Sequence, residues 1–213
     1  MVDVLQKAQK PQAILAGIDH ELLALAQRAD VNIVGVTDCA NSGCWQGFEL
    51  LPEEPQAIVE SGANSVIIGL DSPSVKLKLH DFFRNLGLCA IDLIDGSIGP
   101  GSSHGTGLVL QSGARITTDC TLGVCVKINV GALVMHDAMI GDYVTIAPRA
   151  VVLGRVTIGA GSFVGANATL LPDITIGKNV TVGAGAVVTK NIEDGITVVG
   201  IPARKYNSDK HEE

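Results

Sequence analysis

The chain has 213 residues and a formal net charge of −7, with 46% hydrophobic but only 3% aromatic residues. The negative charge and the lack of a basic stretch argue against a nucleic-acid partner, whose phosphates require cations. No apolar run approaches the ~20 residues of a membrane-spanning helix and no signal peptide opens the chain, so we expect a cytoplasmic protein without a membrane span.

The first part of the chain alternates between strand-like and helix-like patterns. Apolar runs predict strands at 12–18, 31–37, 65–70 and 88–93, and helical spacing predicts helices at 20–29, 53–61 and 75–86. Asp19 is the predicted N-cap of the first helix. This alternation predicts a small α/β domain over residues 1–95, with a parallel sheet of the nucleotide-binding type.

A different pattern governs the second half, where a leucine, isoleucine or valine recurs at every sixth residue without a miss. The series is Leu110, Ile116, Leu122, Ile128, Val134, Ile140, Ile146, Val152, Ile158, Val164, Leu170, Ile176, Val182 and Val188. A period of six matches neither an α-helix nor a flat strand, but it is typical of a solenoid of short strands with three sides to a coil. We therefore predict a parallel β-helix of hexapeptide repeats over residues 96–206, followed by a frayed polar tail at 207–213.

With three hexapeptides to a coil, residue n stacks on residue n+18, about 4.8 Å away, and the corners form three columns. One column begins with Gly123, Gly141, Gly159 and Gly177, which we attribute to the positive φ that tight corners often need. A second has glycine in its later coils. The third never begins with glycine, and its corners are 117–119, 135–137, 153–155, 171–173 and 189–191. A local departure from a strict pattern favours a functional site there, although its apolar neighbours are also typical of a subunit contact.

The third column contains His136, and a neutral imidazole is the natural general base at cellular pH. Asp137 is adjacent and can orient the ring, while the N–H of Gly154, one coil away, can face a developing oxyanion. Alternative interpretations remain open from position alone. His136 is then a solvated corner residue, Asp137 belongs to a charge ladder with Arg155, and Gly154 is an ordinary corner glycine.

Two segments carry a resemblance to a known family. Residues 128–142 read Ile-Asn-Val-Gly-Ala-Leu-Val-Met-His-Asp-Ala-Met-Ile-Gly-Asp, and residues 198–205 read Val-Val-Gly-Ile-Pro-Ala-Arg-Lys. Both resemble the sialic acid O-acetyltransferase group of sugar O-acyltransferases, which includes bacterial nucleotide-4-amino-sugar N-acetyltransferases. The order of an α/β domain followed by a β-helix is also similar, and the resemblance implies that the β-helix is left-handed.

The resemblance implies direct transfer of an acetyl group from acetyl-CoA, without a metal, to the amine of a UDP- or dTDP-linked amino sugar. His136 would deprotonate the amine, Asp137 would orient His136, and Asn129 would support the pair by hydrogen bonding. The N–H of Gly154 would hold the thioester oxygen. A homotrimer would bind coenzyme A in the groove between neighbouring β-helices.

The resemblance also assigns residues to the two ligands. Arg155, Pro202 and Arg204 are expected to contact coenzyme A. Thr145 occupies a position, nine residues after His136, where family members often have a second histidine, so that coenzyme contact is lost or replaced. In the first domain, Gly17 and His20 match loosely a longer glycine-rich turn of the family, and Asp38 follows the second strand where an acid can meet ribose or base. These three form the predicted nucleotide site.

Three other functions compete with N-acetylation. O-acetylation of a sugar or sialic acid needs the same base and donor. A β-helical carbonic anhydrase needs three histidine ligands for zinc, of which the coils offer His136 with at best His104. A non-catalytic β-helix scaffold would be indifferent to the loss of His136.

Overall fold

The structure, a computed structural model, describes residues 10–38 and 42–206, so the predicted tail at 207–213 lies outside the described residues. The N-terminal elements are β1 (Gln12–Ala16), α1 (His20–Arg28), β2 (Asn32–Thr37), β3 (Cys44–Trp45), β4 (Phe48–Leu51), α2 (Pro55–Glu60), β5 (Ser65–Ile68), α3 (Pro73–Asn85) and β6 (Cys89–Ala90). None of the described helices has the length and apolar character needed to cross a bilayer.

The N-terminal strands form one six-stranded sheet in the order β3-β4-β2-β1-β5-β6. All neighbours pair in parallel except β3 and β4. The chain therefore passes from β1 to one side of the sheet and later returns to β5 on the other side. The loops after β1 and β5 diverge at this switch point, and a crevice at the carboxyl ends of such strands is where α/β sheets commonly bind ligands.

The predicted elements of this part are confirmed with shifts of a few residues, except at two places. Asp19 is the N-cap of α1, because its side chain accepts hydrogen bonds from the N–H groups of Glu21 and Leu22. The β3–β4 hairpin was not predicted, since its strands are too short to show alternation. The strand predicted at 88–93 is two strands, of which only the first joins the N-terminal sheet.

The second half of the chain is a β-helix of very short strands. They are β7 (Leu93–Ile94), β8 (Ser97–Ile98), β9 (Ser103–His104), β10 (Val109–Leu110), β11 (Arg115–Ile116), β12 (Thr121–Leu122), β13 (Lys127–Ile128), β14 (Leu133–Val134), β15 (Met139–Ile140), β16 (Thr145–Ile146), β17 (Val151–Val152), β18 (Thr157–Ile158), β19 (Phe163–Val164), β20 (Thr169–Leu170), β21 (Thr175–Ile176), β22 (Thr181–Val182), β23 (Val187–Val188), β24 (Thr197–Val199) and β25 (Arg204–Lys205).

These strands form three faces, and the predicted coil length is confirmed. The first face contains β7, β10, β13, β16, β19, β22, β24 and β25; the second β8, β11, β14, β17, β20 and β23; the third β9, β12, β15, β18 and β21. Lys127 pairs with Thr145, 18 residues on, and the same register recurs in the other coils. The last coil is two residues shorter, because Thr181 pairs with Thr197. The fold is that of the left-handed β-helix implied by the resemblance.

A single aliphatic core runs along the inside of the coils. Every residue of the six-residue series is at most 4% exposed, and the small residues two positions before them are buried with them. Because aromatic side chains are too wide for this triangular interior, the core consists of stacked alanine, valine, isoleucine and leucine side chains. This explains why a high hydrophobic content coexists with few aromatics.

The backbone adopts positive φ at every sixth residue from Gly101 to Gly185, but not at the glycines that we expected. The left-handed residues are Gly101, Gly107, Gly113, Asp119, Cys125, Gly131, Asp137, Tyr143, Arg149, Arg155, Gly161, Asn167, Asp173, Asn179 and Gly185. The corner-opening glycines, such as Gly159, are not among them. A Cβ on Gly159 would lie 2.6 Å from the backbone of Gly177 and Lys178 in the next coil. The prediction that these glycines supply positive φ is therefore wrong, because they instead allow close stacking of the coils.

Two buried lysines join the domains. Lys76 of α3 is fully buried, and its Nζ donates to the carbonyl oxygens of Cys125 (3.1 Å) and Val144 (2.9 Å) in the β-helix. Lys127 of β13 extends the other way, and its Nζ donates to the carbonyl oxygen of Gly69 after β5. The first face of the β-helix therefore packs against the N-terminal sheet through reciprocal polar contacts.

The burial of Lys76 predicts a pH-dependent stability. Desolvation lowers its pKa to about 7 from 10.5, so above pH 7 the unfolded chain binds one more proton than the folded chain. The free energy of unfolding should therefore rise with pH by at most about 1.4 kcal/mol per unit. The rise ends near pH 9, the ordinary pKa of Cys125, because burial raises the pKa of that thiol to about 11, and above pH 9 the folded chain keeps a thiol proton that offsets the Lys76 effect.

Lys76→Met should remove this rise, because methionine has a similar length and no proton to release. Thermal melts of the wild-type protein and of Lys76→Met between pH 7 and pH 9 test this expectation, because they measure how the stability of each protein changes with pH. Parallel pH dependence in the two proteins would contradict it.

Candidate active site

His136 and Asp137 form a hydrogen-bonded pair at the corner between β14 and β15. The His136 Nδ1 lies 2.7 Å from the Asp137 Oδ2, and the two side chains are 42% and 53% exposed. Because the ionised carboxylate can only accept, Nδ1 carries the proton and Nε2 keeps a free lone pair. Asp137 holds a left-handed backbone conformation (φ 58°), which aspartate tolerates better than most residues. The corner therefore presents an oriented, accessible base.

Gly154 lies directly against this imidazole in the next coil. A Cβ at this position would lie 2.7 Å from the Cε1 and Nε2 of His136. The φ of Gly154 is not positive, so the close approach of the ring is what requires glycine. In the described part of the chain, the Gly154 N–H has no hydrogen-bond acceptor, although its carbonyl oxygen accepts from Asp173. The site thus combines a base with an unused donor in one corner column.

Arg155 pairs along the column with Asp173 rather than with Asp137. Its Nε and Nη2 donate to the two carboxylate oxygens of Asp173 at 2.6 and 2.9 Å. This hydrogen bonding holds the pKa of the Asp173 carboxyl below its usual range. The charge ladder between Asp137 and Arg155 is therefore not formed as a contact, and Asp173 already occupies two donors of the predicted coenzyme ligand Arg155.

Two predicted site residues lie away from this corner. Asn129 belongs to the preceding corner, and its Nδ2 donates to Asp71 and to the carbonyl oxygen of Ile146, so within the chain it does not support the histidine. Thr145 is fully buried beside Val144, whose carbonyl oxygen accepts from Lys76. Because a wholly buried hydroxyl has no surface to offer a ligand, Thr145 does not replace the second histidine of the family, and the coenzyme contact assigned to this position is lost.

The predicted coenzyme residues Pro202 and Arg204 lie at the C-terminal hairpin of the β-helix. Arg204 belongs to β25 and, with Lys190 and Lys205, lines a pocket of about 330 Å³. Lys190 stacks three coils after His136 in the same column, roughly 14 Å along the rod at one strand spacing per coil. This end of the column therefore offers three cations against the one carboxylate of Glu193, a balance that suits the phosphates of a coenzyme. Sequence reasoning missed Lys190 and Lys205, although the column already contained Lys190.

The predicted nucleotide residues lie together at the carboxyl edge of the N-terminal sheet. Gly17 (φ 96°) follows β1, and its N–H donates to the carbonyl oxygen of Thr37. The ring of His20 contacts the edge of Trp45, with centroids 4.9 Å apart. Asp38, after β2, accepts from the N–H of Ile18 at 3.4 Å. The structure thus gathers all three, and it adds Asp71 and Lys127, which no sequence signal indicated.

In the described ranges, no group of three or more histidine, cysteine or acidic side chains is arranged to hold a metal ion. The Nδ1 of His104, in strand β9 at the start of the β-helix, lies 3.9 Å from the Asp92 Oδ2, whereas His136 lies in the corner between β14 and β15. The two histidines that the coils offer toward such a zinc site therefore belong to different elements of the β-helix.

The coil sequence matches a known repeat family. Residues 155–190 match the family described as bacterial transferase hexapeptide (six repeats). None of the curated protein sequences is significantly similar to the chain.

Solved structures give matches over nearly the whole chain. The acetyltransferase domain of PglB from Neisseria gonorrhoeae, solved with acetyl coenzyme A, is 25% identical with a TM-score of 0.83 and covers 93% of this chain and 100% of its own. WeeI from Acinetobacter baumannii is 28% identical with a TM-score of 0.84, and the match covers 92% of this chain and 100% of WeeI. A perosamine N-acetyltransferase mutant from Caulobacter crescentus, solved with CoA and GDP-perosamine, shares the fold at 22% identity, with a TM-score of 0.87 and coverage of 92% and 97%.

The predicted family resemblance is therefore supported by the coil repeat, the two-domain fold and these similarities. The chain is an acetyltransferase, residues 155–190 of its coils match the hexapeptide repeat, and it resembles the sugar acetyltransferases.

Proposed function

We propose that this chain transfers the acetyl group of acetyl-CoA directly to the amine of a nucleotide-linked amino sugar, with UDP or dTDP as the nucleotide. The observation that carries the proposal is the corner in which the His136 ring, oriented by Asp137, touches Gly154. The similarity to the PglB acetyltransferase domain, a protein solved with acetyl coenzyme A, supports the same donor.

Each residue of the corner has a defined task in the proposed reaction. The Nε2 of His136 takes a proton from the sugar amine as its nitrogen attacks the thioester carbonyl carbon. The Gly154 N–H stabilises the negative charge that develops on the carbonyl oxygen. Collapse of the tetrahedral intermediate breaks the carbon–sulfur bond, the thiolate leaves, and the imidazolium returns the proton to the sulfur. Asp137 stabilises the imidazolium while it exists.

The two substrates would reach the corner from different directions. We assign the coenzyme phosphates to the cationic end of the column, with Arg204 and Pro202 beside them. We assign the nucleotide to the edge formed by Gly17, His20 and Asp38. The predicted homotrimer, with coenzyme A between neighbouring β-helices, and the cytoplasmic location belong to this proposal.

A free-thiol release assay with acetyl-CoA tests the proposal against a panel of nucleotide sugars. The panel contains UDP- and dTDP-linked amino sugars, a GDP-linked one because of the perosamine neighbour, and the matched hydroxyl sugars. We expect thiol release with a UDP- or dTDP-linked amine. Release with hydroxyl acceptors alone would establish O-acetylation instead, and no release with any acceptor would overturn the enzyme assignment of this site.

A further inference from the structure

Asp71 lies at the switch point of the N-terminal sheet, just after β5. The loop after β1 borders the other side of this crevice and contains Asp19. The Asp71 side chain is 58% exposed. A carboxylate thus faces solvent at the position where this sheet type commonly binds its ligand.

Two buried polar side chains of the β-helix hold this carboxylate in place. The Lys127 Nζ lies 3.1 Å from the Asp71 Oδ1, and the Asn129 Nδ2 donates to the same oxygen at 3.2 Å. Lys127 and Asn129 are only 3% and 4% exposed. The ammonium of Lys127 also donates to Gly69 and lies 3.7 Å from the Asp19 Oδ2, so its donors are directed into the protein.

The arrangement leaves the second oxygen of Asp71 available. In the described part of the chain, the ion pair with Lys127 and the hydrogen bond from Asn129 both end on Oδ1 of Asp71, and Oδ2 has no protein donor. Because the carboxylate is anchored through one oxygen, the other is presented in a fixed direction without an entropic cost on binding. This is the geometry of a recognition group rather than of a purely structural ion pair.

Charge decides which ligand groups the free oxygen accepts. Lys127 contributes one positive charge, against two negative charges from Asp71 and Asp19. A carboxylate oxygen can only accept, so it binds hydroxyl and ammonium donors well, whereas an ionised phosphate has no proton to donate to it.

We infer that Asp71 recognises a hydroxyl or amine donor of the nucleotide sugar through Oδ2, and that Lys127 and Asn129 are its positioning residues. This inference rests on the proposed function for the identity of the ligand. It also gives Asn129 a task at the acceptor pocket, in place of the predicted support of the histidine.

Calorimetric titration of the full chain with an amino-sugar nucleotide, without acetyl-CoA, tests the inference separately from catalysis. Asp71→Asn keeps an oxygen that Lys127 and Asn129 can hold, but it removes the negative charge. We expect this variant to raise the Kd about 10- to 100-fold, the loss expected for a charge-assisted hydrogen bond. Lys127→Met should raise the Kd similarly although Lys127 has almost no exposed surface, and the double variant should add little to either. Asp30→Asn is the matched control, because Asp30 is an exposed aspartate that pairs with Lys10 far from this edge.

The hydrogen-bond donor that Asp71 binds belongs either to the amino sugar or to the ribose. Titration with the free nucleoside diphosphate, which lacks the amino sugar, distinguishes the two. If the amino sugar supplies it, Asp71→Asn leaves the diphosphate Kd unchanged; if the ribose supplies it, both ligands weaken. Unchanged Kd values for both ligands in Asp71→Asn would overturn the inference, as would a wild-type protein that binds neither. Normal binding without thiol release would instead count against the proposed chemistry alone.

Discussion

His136→Ala should lower kcat for acetyl transfer by about 10²- to 10⁴-fold, the contribution of a positioned general base. The variant removes the imidazole that takes the amine proton in the proposed reaction, while the coenzyme and nucleotide contacts lie elsewhere. KM values for both substrates should therefore change little. Thiol release under saturating acetyl-CoA measures the effect.

The fold should survive this change, because His136 is 42% exposed and its backbone bonds remain. His104→Ala is the matched control, since His104 also lies near an aspartate but belongs to strand β9 at the start of the β-helix. Wild-type turnover by His136→Ala would exclude the proposed base, and an equal loss in His104→Ala would point to a general structural effect.

Gly154→Ala should lower kcat by roughly 100-fold, because misplacement of a catalytic group by about 1 Å has effects of this size. The added methyl group would lie 2.7 Å from the His136 Nε2, so the ring must turn away from Gly154. Since the ring is half-exposed, it can move into solvent with little loss of stability. The expected signature is a fall in kcat with an almost unchanged melting temperature.

Gly159→Ala provides the contrasting control within the same β-helix. Its methyl group would meet backbone atoms of the next coil, which cannot move aside without opening the stack. This variant should lose stability, whereas Gly154→Ala should lose activity. A similar fall in melting temperature for both variants, with normal turnover by folded Gly154→Ala, would contradict the assigned role of Gly154.

Much of the fold was predictable because the coils repeat one local rule. Each aliphatic residue of the series must point inward, so periodicity alone predicts the strands, the coil length of 18 and the stacking order. The reason for the corner glycines was not predictable in this way. Whether Gly159 supplies positive φ or close approach depends on the neighbouring coil, and only the stacked backbone shows that approach matters.

The candidate site was predictable only where its residues share the repeat. His136, Asp137 and Gly154 are related by the period, so a break in the glycine pattern was enough to indicate them. Asp71 and Lys127 come from different domains, and their contact depends on how the β-helix docks against the N-terminal sheet. The same docking buries Thr145, which a family position alone had assigned to the coenzyme.

The most direct test of the proposed function is the identity of the product formed from acetyl-CoA and the preferred nucleotide sugar. Mass spectrometry and NMR should locate one acetyl group on the sugar amine with the wild-type protein, and none above background with His136→Ala. An acetylated hydroxyl would contradict the amine as acceptor, and an acetylated amine formed equally by both proteins would contradict His136 as the base.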